Sequence, residues 1–147
     1  MEPGLKELVR RRAGNACEYC RIPQDATPLI SFHIEHIVSR QHGGSDEPGT
    51  LALACDRCKA YKGPNLTSLD PDTNAIVPLF NPRQDIWGDH FFVRDGRITG
   101  LTPKGRATVR LLNMNAPRRV ELREHGWEYA ENREDRNCFV PGGSSER

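Results

Sequence analysis

No stretch of this 147-residue chain stays apolar for anything near the ~20 residues that a membrane-crossing helix needs. Nor does the chain open on the charged-then-apolar pattern of a secretory signal, so a cytoplasmic location is the expectation. No internal repeat is visible, which sets aside solenoid architectures. Apolar residues are scarce as well, at 36% with a mean hydropathy of −0.68. A chain that polar has either a small core held by some other device or a part that does not pack. Net charge is also nearly absent, at +1. It excludes no partner, because the charge is unevenly spread. Arg10, Arg11 and Arg12 form one basic run, and Arg97, Lys104, Arg106, Arg110, Arg118 and Arg119 another. Acids gather late, at Glu124, Glu128, Glu131, Glu134 and Asp135. The length suits one domain, expected over residues 1–129 with its core at about 15–65, followed by a polar tail at 130–147 that should fray.

Cysteine is what the chain does have. Cys17 and Cys20 form one Cys-x-x-Cys pair and Cys55 and Cys58 another, with Cys138 apart in the tail. Two disulfides, or unligated pairs, are one reading. The spacing and the compartment favour the other, in which four thiolates share one tetrahedral, structural Zn²⁺. Cys138 reads as a bystander.

After the first pair, and including the second, runs the most informative stretch, FHIEHIVSRQHGGSDEPGTLALACDRCKAYKGPN. Residues 31–38 are β-branched and alternate, so they read as a strand, with Glu35-His36 near its end. Gly43-Gly44-Ser45 turns the chain, and residues 50–54 read as the returning strand. Residues 55–62 suit a short helix stopped by Gly63 and Pro64. His33, His36 and His42, three of the five histidines, fall within ten residues of one another. Alternation along a strand puts His33 on the same face as Glu35.

The matching motifs are Cys17-x-x-Cys20, His33-Ile34-Glu35-His36-Ile37, Gly43-Gly44, Leu51 to Leu53, Cys55-x-x-Cys58 and Lys62-Gly63. In that order they resemble the HNH endonucleases, in the form stapled by two cysteine pairs. The flanks LFNPRQDIWGDHF and LTPKGRATVRLLNMN resemble a subgroup of small bacterial members. The resemblance implies an α+β chain: a ββα-metal core with a zinc knuckle, flanking short helices, and a C-terminal hairpin plus helices. It implies hydrolysis of phosphodiester bonds in DNA. His36 is then the general base, since a neutral imidazole can accept a proton at pH 7. Glu35 is the candidate anionic ligand of a catalytic Mg²⁺ or another divalent cation, with His33 a tentative second. Arg40, Arg57, Lys59, Lys62, Arg106 and Arg110 are the candidate phosphate contacts. For His42 a surface role is as good a reading as a functional one.

Two positions depart from the family pattern. Thr50 stands where the middle Asn is usual, and a hydroxyl can make part of the same hydrogen bonding across the hairpin. Lys59 stands where the metal-ligating Asn is usual, and a protonated lysine cannot ligate. Three readings stay open: the cation is held without that position, Lys59 meets the phosphate itself, or the chain is a weakened or inactive zinc-stapled DNA-binding protein. A zinc deaminase is a further class to weigh, because His33-x-Glu35 precedes Cys55-x-x-Cys58. Ala54 in place of Pro, and the unexplained Cys17/Cys20 pair, speak against it.

Elsewhere, residues 3–13 read as an amphipathic helix with Leu5, Leu8 and Val9 on one face and Gly14 after it. Its basic run suits phosphate or solvent equally. Residues 65–85 read as an irregular arm that buries Leu66, Leu69, Ile76, Val77, Leu79 and Phe80. A hairpin turned at Asp95-Gly96 is expected over 90–99. Thr102 should cap a helix to about 112 with Ala107, Leu111 and Leu112 inward, and Pro117 should open another to about 125.

Overall fold

The computed structural model describes residues 1–131. The tail expected at 130–147 therefore lies outside the described residues except for its first two, as does Cys138. Three separate antiparallel pairs of strands alternate with helices along the described chain, the α+β class expected. No described helix is long and apolar enough to cross a membrane.

Helix α1 (Pro3–Arg12) buries Val9 and ends at Gly14, whose φ of 65° suits a residue without a Cβ. Of its basic run, Arg11 lies open to solvent, while Arg10 and Arg12 reach the backbone of the hairpin. Arg10 Nη2 donates to the Phe32 carbonyl at 3.2 Å, and Arg12 donates to the carbonyls of Pro48 (2.9 Å) and Leu51 (2.7 Å). Those bonds clamp α1 to the central hairpin.

The hairpin pairs β1 (His33–His36) with β2 (Leu51–Ala54), His33 opposite Ala54 and His36 opposite Leu51. Both strands are shorter than the alternation predicts. The Ser39 carbonyl accepts from the amides of His42 and Gly44, which turns the chain off the ladder. At the other end, Thr50 closes a 3₁₀ turn over Pro48–Thr50 instead of starting the strand. β2 is buried throughout, which is why it reads Leu-Ala-Leu-Ala without alternation. Helix α2 (Asp56–Lys62) starts on Cys55, whose sulfur accepts from the Cys58 amide at 3.4 Å, and stops at Gly63.

The arm at 65–85 corrects the sequence reading. It holds a small hairpin, β3 (Thr67–Leu69) with β4 (Ile76–Pro78), and it leaves Leu66, Leu69 and Ile76 exposed, burying only Leu79 and Phe80 fully. What holds this hairpin is charge: buried Asp70 takes two hydrogen bonds from Arg106, at 2.9 and 2.8 Å. A single helical turn, α3 (Trp87–His90), was not foreseen. Trp87 Nε1 donates to the Tyr19 carbonyl at 2.8 Å, tying the C-terminal half to the first cysteine pair. Then β5 (Phe91–Arg94) and β6 (Arg97–Gly100) flank the expected Asp95-Gly96 turn, both residues at positive φ. Helix α4 (Pro103–Leu111) is capped as expected, Thr102 Oγ1 accepting from the Gly105 amide at 3.0 Å. Ala107 and Leu112 are buried and Leu111 half-buried. Helix α5 (Pro117–Glu131) runs past the expected end. Two arginines, Arg119 and Arg123, are buried on it, so Arg119 does not belong to a solvated basic run. One apolar cluster extends from Val9 through the hairpin and the cysteines to Met114.

Candidate active site and metal centre

The four paired cysteines come together between the loop after α1 and the start of α2. Their sulfurs all lie within 4.8 Å of one another, and every one is buried with its thiol free of any disulfide. In each pair the fourth residue's amide donates to the first sulfur at 3.4 Å, Cys20 to Cys17 and Cys58 to Cys55. Four sulfurs about 2.3 Å from a tetrahedral zinc would sit about 3.8 Å apart. The Cys20 and Cys55 sulfurs, 3.7 Å apart, already have that spacing. Burial pushes the Cys17 and Cys58 thiols up. At Cys20 burial works the same way, but hydrogen bonds from the other three sulfurs and the charge of Arg119 outweigh it and hold that thiol down. Among the described residues no histidine or carboxylate joins the cluster, so the donor set is that of a structural zinc site. A His-Cys-Cys set, as a deaminase would need, is not assembled.

The second feature is a cleft of about 380 Å³ where β1 ends against α2. Glu35, His36, Ser39, Arg40 and Lys59 line it, with Gln41, Gly63 and Pro64. Glu35 is buried, its Oε2 accepting from Lys62 Nζ at 2.9 Å and, at the limit of a hydrogen bond, from the Tyr19 hydroxyl at 3.5 Å. Burial raises its carboxyl above the ordinary range, against the pull of Lys62 and Lys59. Its Oε1 has no partner at all, and neither has the buried Oγ of Ser39. Two buried oxygens of one cleft are thus left without a donor, which is unusual unless a ligand completes them. Carboxylate and hydroxyl oxygens are the kind of donor that a hard cation takes.

His36 holds Asp46 at the rim, Nε2 to Oδ1 at 2.7 Å, and Arg40 donates to the same oxygen at 2.8 Å. The hydrogen bond from His36, with the Arg40 charge, keeps the Asp46 carboxyl below its usual value. An ionised carboxylate only accepts, so in the neutral ring Nε2 carries the proton and Nδ1 is the basic nitrogen. Thr50 supports this arrangement from below. Its hydroxyl donates to the carbonyls of Ser45 (2.9 Å) and Glu47 (2.8 Å), the two neighbours of Asp46.

Residues 17–64, which hold both cysteine pairs and the cleft, match the family model of the HNH endonucleases. The chain carries an HNH endonuclease domain. Over 143 residues it is also 24% identical to the Septu protein PtuA of Bacillus mycoides (strain KBAB4), covering 81% of this chain and 20% of that protein. The chain thus spans about one fifth of the length of the curated relative it matches. No solved structure matches.

Within the HNH domain the cleft brings together Glu35, His36, Arg40 and Lys59. It does not bring in His33, which is exposed two residues up the strand and does not line the cleft. His42 is exposed as well. Arg57 is exposed on α2 and Arg110 on α4. Two of the candidate phosphate contacts, Lys62 and Arg106, have partners inside the protein. Lys62 is 2% exposed, its ammonium spent on Glu35 and on the Ile37 carbonyl at 2.8 Å. Arg106 is engaged by Asp70 and by Asp72, 3.1 Å away. Sequence reasoning missed Ser39 in the cleft, Asp46 at its rim, and Arg119 at the cysteines. Asp46 follows the Gly-Gly turn by two residues, and a turn acid usually reads as turn chemistry only.

Proposed function

We propose that this chain hydrolyses phosphodiester bonds in DNA, with His36 as general base and Glu35 as the anchor of a catalytic divalent cation such as Mg²⁺. The observation that carries the reading is the cleft. It sets a histidine oriented by Asp46 beside a buried carboxylate with one unpartnered oxygen. Nδ1 of His36 takes the proton from the attacking water, and Asp46 stabilises the imidazolium that results. A cation at Glu35 would neutralise charge on the phosphate oxygens and on the leaving 3′ oxygen. Mg²⁺ suits a site with one carboxylate, because it keeps waters and takes substrate phosphate as further ligands. Lys62 holds Glu35 in place; Arg40, Arg57, Lys59 and Arg110 are the exposed cations that position the phosphate backbone. The zinc at the four cysteines is structural. The continuous core supports residues 1–129 as one domain.

Lys59 favours a second reading, because an ammonium in the cleft weakens the binding of any cation there. On that reading the chain is a DNA-binding protein with little or no activity. Nicking of supercoiled plasmid under several divalent metals separates the two. The nuclease reading expects weak nicking at millimolar metal, improved in Lys59→Asn and abolished in His36→Ala. No nicking by either the wild type or Lys59→Asn, with DNA binding intact in His36→Ala, leaves the binding protein.

A further inference from the structure

Helix α5 lies outside residues 17–64, yet its Arg119 reaches the cysteine centre. Arg119 is 5% exposed, and Nη2 donates to Cys58 Sγ at 2.9 Å and to Cys55 Sγ at 3.5 Å. Nη1 donates to the carbonyls of Leu112 and Asn113. None of these bonds goes to a carboxylate. One turn on, Arg123 is fully buried and donates to the carbonyls of Gly96 (2.7 Å), Met114 (2.6 Å) and Cys20 (3.4 Å). Two guanidinium charges are therefore sunk beside the four sulfurs with oxygen and sulfur, not carboxylates, around them. A buried charge without a counter-ion is strongly unfavourable. Four thiolates around one Zn²⁺ carry a net charge of about −2 by formal count, the opposite of what the two arginines bring.

We propose that Arg119 is a fifth member of the metal centre, an outer partner whose charged hydrogen bonds to Cys58 and Cys55 fix the two sulfurs in place and strengthen zinc binding. The bond is reciprocal. The thiolates are the counter-ion that lets α5 dock with an arginine inward, so metal binding and the packing of the C-terminal helix support each other. Arg123 serves only the second half of this arrangement, because its donors meet oxygens and no sulfur.

The proposal rests on zinc occupying the four cysteines. Zinc affinity is measured by chelator competition on the full chain, for the wild type, Arg119→Gln and Arg123→Gln. Arg119→Gln keeps an amide donor on a shorter side chain and removes the charge. Its zinc affinity should fall by about 10–100-fold, the range for outer partners of metal ligands. Arg123→Gln should move it far less. In the cobalt-substituted protein, Arg119→Gln should also shift the sulfur-to-metal charge-transfer band to lower energy, since a thiolate that loses a hydrogen bond is easier to oxidise. Wild-type affinity and an unmoved band in Arg119→Gln overturn the proposal, and so does an equal loss in both variants. Should Arg119→Gln not fold, Arg119→Lys is compared instead. One ammonium cannot reach both sulfurs and both carbonyls, so a smaller loss of the same sign is expected, and no loss overturns the idea. A wild type that binds no zinc removes the centre itself, an outcome distinct from failure of Arg119 alone.

Discussion

Asp46 and Lys62 show how far a side chain's role depends on what lies across from it. Asp46 comes from the turn after Gly43-Gly44, and only the closure of the loop by Thr50 brings its carboxylate to His36. Asp46→Asn should leave DNA binding unchanged and lower the nicking rate by about tenfold, because an amide no longer fixes which ring nitrogen is basic. His36→Ala removes the base and should cost on the order of 10²–10⁴. Equal rates for wild type and Asp46→Asn in single-turnover nicking would show that Asp46 does not orient the base. Lys62 behaves in the opposite way: a lysine placed among candidate DNA contacts is an internal brace. Lys62→Met leaves Glu35 buried without its cation, which should cost about 3–5 kcal/mol of stability. The check is a urea titration beside a salt series of DNA affinity. Stability should drop sharply while the slope of affinity against salt holds.

Among the elements, the central hairpin is short because its ends are claimed by turns, and the helices are placed by close contacts that few residues allow. Gly105 in α4 is such a contact. A Cβ there would lie 2.1 Å from the His90 carbonyl oxygen, which is backbone and has nowhere to go. Gly105→Ala should therefore destabilise by about 1–3 kcal/mol although alanine is the better helix former. A urea midpoint equal to the wild type would mean that α4 slides freely on the turn before β5. Helix α5 follows another rule, since two buried arginines dock it beside the half-buried Leu122.

Taken whole, the molecule has a modest core completed by ionic contacts and the cysteine cluster. Arg12 on the hairpin carbonyls, Arg83 on Glu18, Arg106 on Asp70 and Arg119 on the cysteines each cross between distant segments. The cysteine centre is the largest of these crossings, because it joins the loop after α1, the start of α2 and α5. Cys55→Ser should accordingly lose about one zinc per chain and the cooperative unfolding transition together. Zinc content by elemental analysis and a thermal melt on the same sample decide it. A folded, zinc-replete Cys55→Ser protein would mean that the four sulfurs are a packed cluster and nothing more.

The cysteine spacing, the strand–turn–strand–helix order of residues 33–62, the Asp95-Gly96 turn and the Thr102 cap were legible along the chain. Each is a local device, whose chemistry is complete within a few residues. The same is true of the pairing of His36 with Glu35 as neighbours at one strand end. Partners were not legible. Arg, Lys and Asp have the same local appearance whether solvated or buried, and the opposing group lies 10 residues away for His36 and Asp46, 36 for Asp70 and Arg106, and 61 for Cys58 and Arg119. Whether a charge faces water, phosphate or a buried counter-charge is set when those segments close on one another, because burial raises the cost of an unmatched charge and leaves only matched ones inside.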